Sequence, residues 1–265
     1  MSALLLCNVN GAPGCSVTSL GLALTWPRDV LLVDADRTPS QAVLAGYLRG
    51  ASGHGQGLLG VLQAHRERLP LADAVAAHRI VLPDPPSRPR KRVPTAPVAR
   101  HFLPGFVHLG SIDLFSAVWG ELGATLREAA HDSIVDAGRI GHRGLPGDLV
   151  AAVDTIAVVC RTSLPALAAL RLHLPGLLDS AGAQRVGLVL VGPGRPYAAA
   201  EIAERFETPV LAEIAWDASA AGDLADGVRL SPRWSEQPLA RSYARAAARF
   251  TADADADRAR IGVPA

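Results

Sequence analysis

A chain of 265 residues, 49% hydrophobic and 19% charged, is long enough for one α/β domain or two small ones with a sizeable core. Its net charge of +1 excludes any global attraction to nucleic acid or an anionic membrane. Three cysteines, Cys7, Cys15 and Cys160, with no C-x-x-C or Cys/His metal spacing, argue against a disulfide framework and fit a reduced, cytoplasmic protein.

The first apolar run, Leu4–Val9, lacks a basic flank and is broken by Asn8 and Asn10. It reads as a first strand rather than a signal peptide, and no apolar run is long enough to span a bilayer. A turn at Gly11–Thr18 leads into a helical pattern over Thr18–Trp26. Further strands are expected at Val30–Asp34, Phe106–Leu109, Ser133–Asp136, Thr155–Cys160, Val186–Val191 and Val210–Ile214, about seven in all. Several are continuous apolar runs, as in strands covered on both faces. Helices are expected between them at Ser40–Leu48, Leu114–Ala130, Leu164–Leu178, Ala198–Phe206 and Pro238–Phe250. Strand–helix alternation of this kind predicts a three-layer α/β sandwich around a mostly parallel sheet, spanning 1–250 as one domain. Gly50–Gly60 reads as a Gly-rich loop, Pro83–Arg100 as an irregular Pro/Arg excursion and 251–265 as a disordered tail.

Gly11 to Thr18 read G-A-P-G-C-S-V-T between a strand and a helix. The phosphate-loop template G-x-x-x-x-G-K-[ST] occupies the same context. Gly11 fits its first glycine and Thr18 its magnesium-binding hydroxyl, but Ser16 stands at the last glycine and Val17 at the lysine. That lysine is the point charge on the β- and γ-phosphates. Its loss leaves backbone N–H groups and the helix N-terminus to hold phosphate, and predicts poor hydrolysis. The chain has one lysine, Lys91, far away in sequence. The second strand ends in Asp34-Ala35-Asp36 and the fourth in Ile134-Val135-Asp136-Ala137-Gly138-Arg139, two acidic strand ends where α/β folds bind ligands. Each aspartate is either a ligand of magnesium or the cap of the turn that follows it.

In this order the motifs resemble the MinD/ParA group of deviant P-loop ATPases (SIMIBI-type P-loop NTPases), whose loop reads K-G-G-x-G-K-[ST] and is followed by a D-x-D strand end. The resemblance covers most of the chain and aligns Ala12-Pro13-Gly14-Cys15-Ser16-Val17-Thr18 with that loop. Ala12 then replaces the signature lysine that reaches across a dimer, and Val17 the lysine that holds phosphate in cis. The resemblance implies a nucleotide cradle at Gly11, Ala12, Pro13, Gly14, Cys15, Ser16, Val17, Thr18 and Ser19. It implies base contacts at Pro193, Gly194, Trp216 and Asp217, and magnesium held through Thr18, Asp34 and Asp136. Asp36 would sit beside the attacking water. ATP or ADP with Mg2+ are the implied cofactors, though the lost lysines leave open that neither binds. Thr208-Pro209-Val210 to Trp216-Asp217, Tyr197–Ile202 and Pro238–Arg241 are similar to an actinobacterial branch of septum-site, partitioning and TadZ/CpaE-type proteins. The implied role is a catalytically impaired, homodimeric localisation protein in the cytoplasm, drawn to membrane or nucleoid by a protein partner. An active ATP-dependent switch and a nucleotide-independent DNA-binding protein are the alternatives.

Candidate replacement cations are Arg37, Arg139, Arg143 and Arg195, although each reads first as a surface arginine or as a partner of Asp34, Asp36 or Asp136. Arg88, Arg90, Lys91, Arg92 and Arg100 form a basic cluster that either tracks DNA phosphates or is a solvated loop. Cys15 at a helix N-terminus is a candidate for a lowered thiol pKa. Leu239, Tyr243, Ala246, Ala247 and Phe250 share a helical face that reads as core packing rather than membrane contact.

Overall fold

The computed structural model describes residues 2–10, 14–50, 57–86 and 97–262. Along the chain run β1 (Ala3–Asn8), α1 (Cys15–Thr25), β2 (Val30–Asp34), a π-helical turn (Ala42–Tyr47), α2 (Leu58–Arg66) and α3 (Leu71–His78). Next come β3 (Ile80–Val81), β4 (Arg100–Leu103), α4 (Gly110–Leu114), α5 (Trp119–Glu128), β5 (Asp132–Arg139), α6 (Gly147–Ala152) and β6 (Thr155–Arg161). The chain closes with α7 (Leu164–Ala181), β7 (Val186–Val191), α8 (Ala199–Phe206), β8 (Val210–Ile214), α9 (Ala218–Ala225) and α10 (Pro238–Ile261).

The strands form one sheet in the order β3-β4-β2-β5-β1-β6-β7-β8. All neighbours pair in parallel except β3, a two-residue edge antiparallel to β4. Side chains alternate across the sheet, so each strand feeds two cores. Leu5, Cys7, Leu31, Val33, Val135, Val158 and Leu188 face α2, α3, α5, α6, α7 and α8. Leu4, Leu6, Leu32, Ile134, Ala157, Val159 and Val189 face α1, α9 and α10. This is the expected three-layer α/β architecture, with the β1 carboxyl end at its centre between β5 and β6.

The structure departs from expectation at several elements. The sheet has eight strands among the described residues rather than seven. Phe106–Leu109 is not a strand; the chain pairs earlier, at Arg100–Leu103, and leaves the sheet at Pro104-Gly105. Phe106 instead packs in edge contact with Phe115 and Trp119, at centroid distances of 5.4 and 6.0 Å. Helix is also found where no helix was expected, in α2, α3, α6 and α9.

The expected disordered tail is mostly helix, because α10 continues unbroken to Ile261. Thr251 is buried and donates its hydroxyl to the Ala247 carbonyl, 3.0 Å away. The extension is pinned by Arg28, which bonds Asp255 at 2.8 Å and also pairs with Asp132. Asp132 is fully buried and collects Trp26 Nε1 (2.9 Å) and the Ser2 amide (2.8 Å) as well. Within the Gly50–Gly60 loop, residues 51–56 lie outside the described residues, and Leu58 already starts α2.

Candidate functional site

The site lies at the carboxyl ends of β1, β2, β5 and β6. Gly14 adopts a left-handed conformation (φ 73°, ψ 52°) immediately before α1, and its carbonyl accepts the Thr18 amide at 2.8 Å. Helix α1 then buries Thr18, Ser19, Leu20 and Leu22. Gly21 is required here: a Cβ would lie 2.3 Å from the Tyr243 ring. The close approach of α10 to α1 puts Tyr243 and Thr18 on the wall of one cleft. Of the expected nucleotide cradle, Cys15 is buried and Val17 is half-buried, while Gly11, Ala12 and Pro13 lie outside the described residues.

Three carboxylates converge beside this turn. Asp34 and Asp136 are in register on adjacent strands, and both are buried. Burial, reinforced by the neighbouring Asp136 charge, pushes the Asp34 carboxyl up to about 8. Asp136 is raised by burial too, opposed by the side chains of Ser16 and Cys15 that face it and by the Gly138 amide at 3.0 Å. Asp36 accepts the Thr38 amide (2.7 Å) and hydroxyl (2.8 Å), so it closes the turn after β2. Its carboxylate also lies against Gly138, where φ is 59° and a Cβ would sit 2.1 Å from Asp36 Cγ. Burial and the Asp136 charge push the Cys15 thiol well up, the reverse of the lowered value expected at a helix N-terminus.

Magnesium would find oxygen donors of the right kind in Thr18, Asp34 and Asp136. Asp136 accepts the Gly138 amide and Asp34 the Asp36 amide, each through Oδ1.

On the β6 side a cleft of about 190 Å³ is lined by Gly14, Val17 and Thr18 and by Arg161, Trp216 and Asp217, among others. Asp217 caps α9, its carboxylate accepting the Ala220 amide at 2.9 Å. Arg161 ends β6 and lays its guanidinium 4.1 Å from the centre of the Trp216 ring. Pro193 and Gly194 lie in the turn after β7 and do not line this cleft. Sequence reasoning missed Arg161, which belongs to no motif and reaches the loop only because β6 pairs with β1.

The arginines expected to supply charge lie elsewhere. Arg37, Arg139 and Arg143 line a separate open cleft of about 580 Å³ with Leu109, Trp119 and Asp148. Arg37 forms no salt bridge with the strand-end aspartates and bonds the carbonyl of Gly144 instead. Arg195 is exposed. Of the basic cluster, Arg88, Arg90, Lys91 and Arg92 lie outside the described residues. Arg100 is tied into the fold: its guanidinium bonds the carbonyls of Ala23 (3.0 Å) and Trp26 (2.8 Å) and pairs with Asp84 (2.7 Å). It staples the start of β4 to the end of α1.

A mostly parallel sheet with helices on both faces and a strand–turn–helix at its centre defines a doubly wound, three-layer α/β protein. Within that class its fold is similar to those of solved MinD and ParA proteins. It superimposes on a ParA family ATPase from Chlorobium tepidum with a TM-score of 0.66 at 17% identity, over 93% of this chain and 98% of that one. The MinC:MinD cell division complex of Aquifex aeolicus gives a TM-score of 0.65 at 17% identity, over 95% and 96%. A protein from Borrelia burgdorferi described as a putative plasmid partition protein, bound to AMPPNP, gives 0.65 at 13% identity, over 95% and 99% of the two chains. No family model matches the sequence, and no curated protein matches it. Among the described residues, no helix is long and apolar enough to cross a membrane.

Proposed function

We propose that this protein is a MinD/ParA-type homodimer impaired in nucleotide turnover, serving to localise division, secretion or pilus machinery through a protein partner. The observation that carries this reading is Val17: the residue in the lysine slot is apolar and lines the cleft beside Thr18. No cation at that position can follow charge onto a leaving phosphate. Asp36 supports the same reading, since its carboxylate closes the turn after β2 through Thr38 instead of standing free for a water. The relatives in fold support the cellular role. One is a MinD solved in complex with MinC, and another is a partition protein solved with AMPPNP.

The test is ATP turnover by phosphate release, with oligomeric state by light scattering, with and without ATP and Mg2+. The expected result is release at background and a dimer in every condition. Steady turnover coupled to a monomer–dimer change would overturn the reading in favour of an active switch.

A further inference from the structure

We propose that Arg161 is the cation that replaces the missing loop lysine, holding the phosphates of a nucleoside diphosphate or triphosphate from the β6 side. The inference rests on the reading of this turn as a nucleotide site, and it adds a phosphate-binding residue that the motif does not contain. Four observations carry it. Arg161 lines the same cleft as Gly14, Val17 and Thr18, so its guanidinium borders the space beside the turn that would cradle phosphate. Its Nε is buried without a hydrogen-bond partner among the described residues. A buried guanidinium donor left unmade is costly, and an anion is its natural partner. Among the described residues no carboxylate pairs with it, unlike Arg28 and Arg100. Finally, it rests on the Trp216 face at 4.1 Å, a contact that holds the charged guanidinium at the wall of the cleft.

The geometry explains how one side chain can serve here. With Arg161 over Trp216 the cleft measures about 190 Å³, below the roughly 300 Å³ at which small-molecule sites begin. Turning the guanidinium toward Gly14 and Thr18 brings its fork of donors to the phosphates. The same rotation uncovers the indole face for a planar base. An arginine entering from β6 differs from a lysine on α1 in one respect. It approaches from the base side of the turn, so it grips the phosphate chain without standing beside a terminal phosphate in flight. Binding is thereby kept while turnover is not.

The experiment is calorimetric titration of the full-length protein with ADP in EDTA. It compares the unaltered chain with Arg161→Ala, Arg161→Lys, Val17→Lys and the double variant Arg161→Ala/Val17→Lys, each checked for an unchanged melting profile. The expected result is that Arg161→Ala weakens ADP at least tenfold and Arg161→Lys keeps most of the affinity. The double variant should regain it. Quenching of Trp216 by ADP should vanish in Trp216→Phe. Equal ADP affinity in Arg161→Ala and the unaltered protein overturns the role of Arg161 and leaves the nucleotide site standing. ADP binding to Val17→Lys alone overturns it as well, leaving the turnover-impaired reading intact. No binding to any variant overturns the nucleotide site itself.

Discussion

Replacing Asp34 with Asn should stabilise the protein increasingly as pH rises. Asp34 is buried, and its carboxyl is pushed up to about 8 by burial and by Asp136, against an ordinary value of 3.8. Between those two values the unfolded chain has released the proton and the folded chain has kept it. The folded state therefore binds more protons, and stability falls as pH rises through the window. The slope contributed by one such group is about 1.4 kcal/mol per pH unit. Asparagine cannot ionise, keeps the oxygen that accepts the Asp36 amide at 3.2 Å, and fills the same space beside Gly105. Asp36 and Asp136 titrate in both proteins, so their contributions cancel to first order in the comparison. From pH 5 to pH 7 the advantage of Asp34→Asn should therefore grow by about 3 kcal/mol. That corresponds to a gap in Tm widening by about 6–12 °C for a chain of this size. Urea unfolding at pH 5, 6 and 7 in EDTA measures it directly. An advantage independent of pH, or one that shrinks toward pH 7, would refute the claim that Asp34 is buried as the neutral acid.

Gly138→Ala should cost several kcal/mol in urea unfolding, since it adds left-handed backbone strain to a collision with Asp36, and pairing it with Asp36→Ala should recover part of the loss. Asp132→Ala strips partners from Trp26, Arg28 and Ser2 at once, and a loss of about 3–5 kcal/mol is expected by the same measurement. Ending the chain after Phe250 should lower Tm by a few degrees, because Thr251 and the Arg28–Asp255 pair are lost; an unchanged Tm would mean the end of α10 contributes nothing.

The fold was legible where periodicity was strong. Val30–Asp34 and Val186–Val191 read correctly to the residue, since uninterrupted apolar runs between polar turns have no other home. Phe106–Leu109 misled because an aromatic cluster and a strand leave the same local mark; only the partners Phe115 and Trp119 distinguish them. The tail misled because alternating Ala and Asp is weak evidence alone, whereas Arg28, more than two hundred residues earlier, supplies the counter-charge. The candidate site was legible as a turn and two acidic strand ends. What each aspartate bonds was not, because Ser16, Cys15, Thr38 and Gly138 reach them through the fold. Arg161 was invisible for the same reason: strand pairing, not spacing, carries it to the loop.

The contact between Asp36 and Gly138 ties the turn after β2 to the turn after β5, with no room for a side chain between them. Positions 36 and 138 are therefore a single unit of inheritance. Among relatives of this chain, a residue with a side chain at 138 should occur only where 36 has shrunk or lost its acid, so the two columns of any future family comparison should change together or not at all.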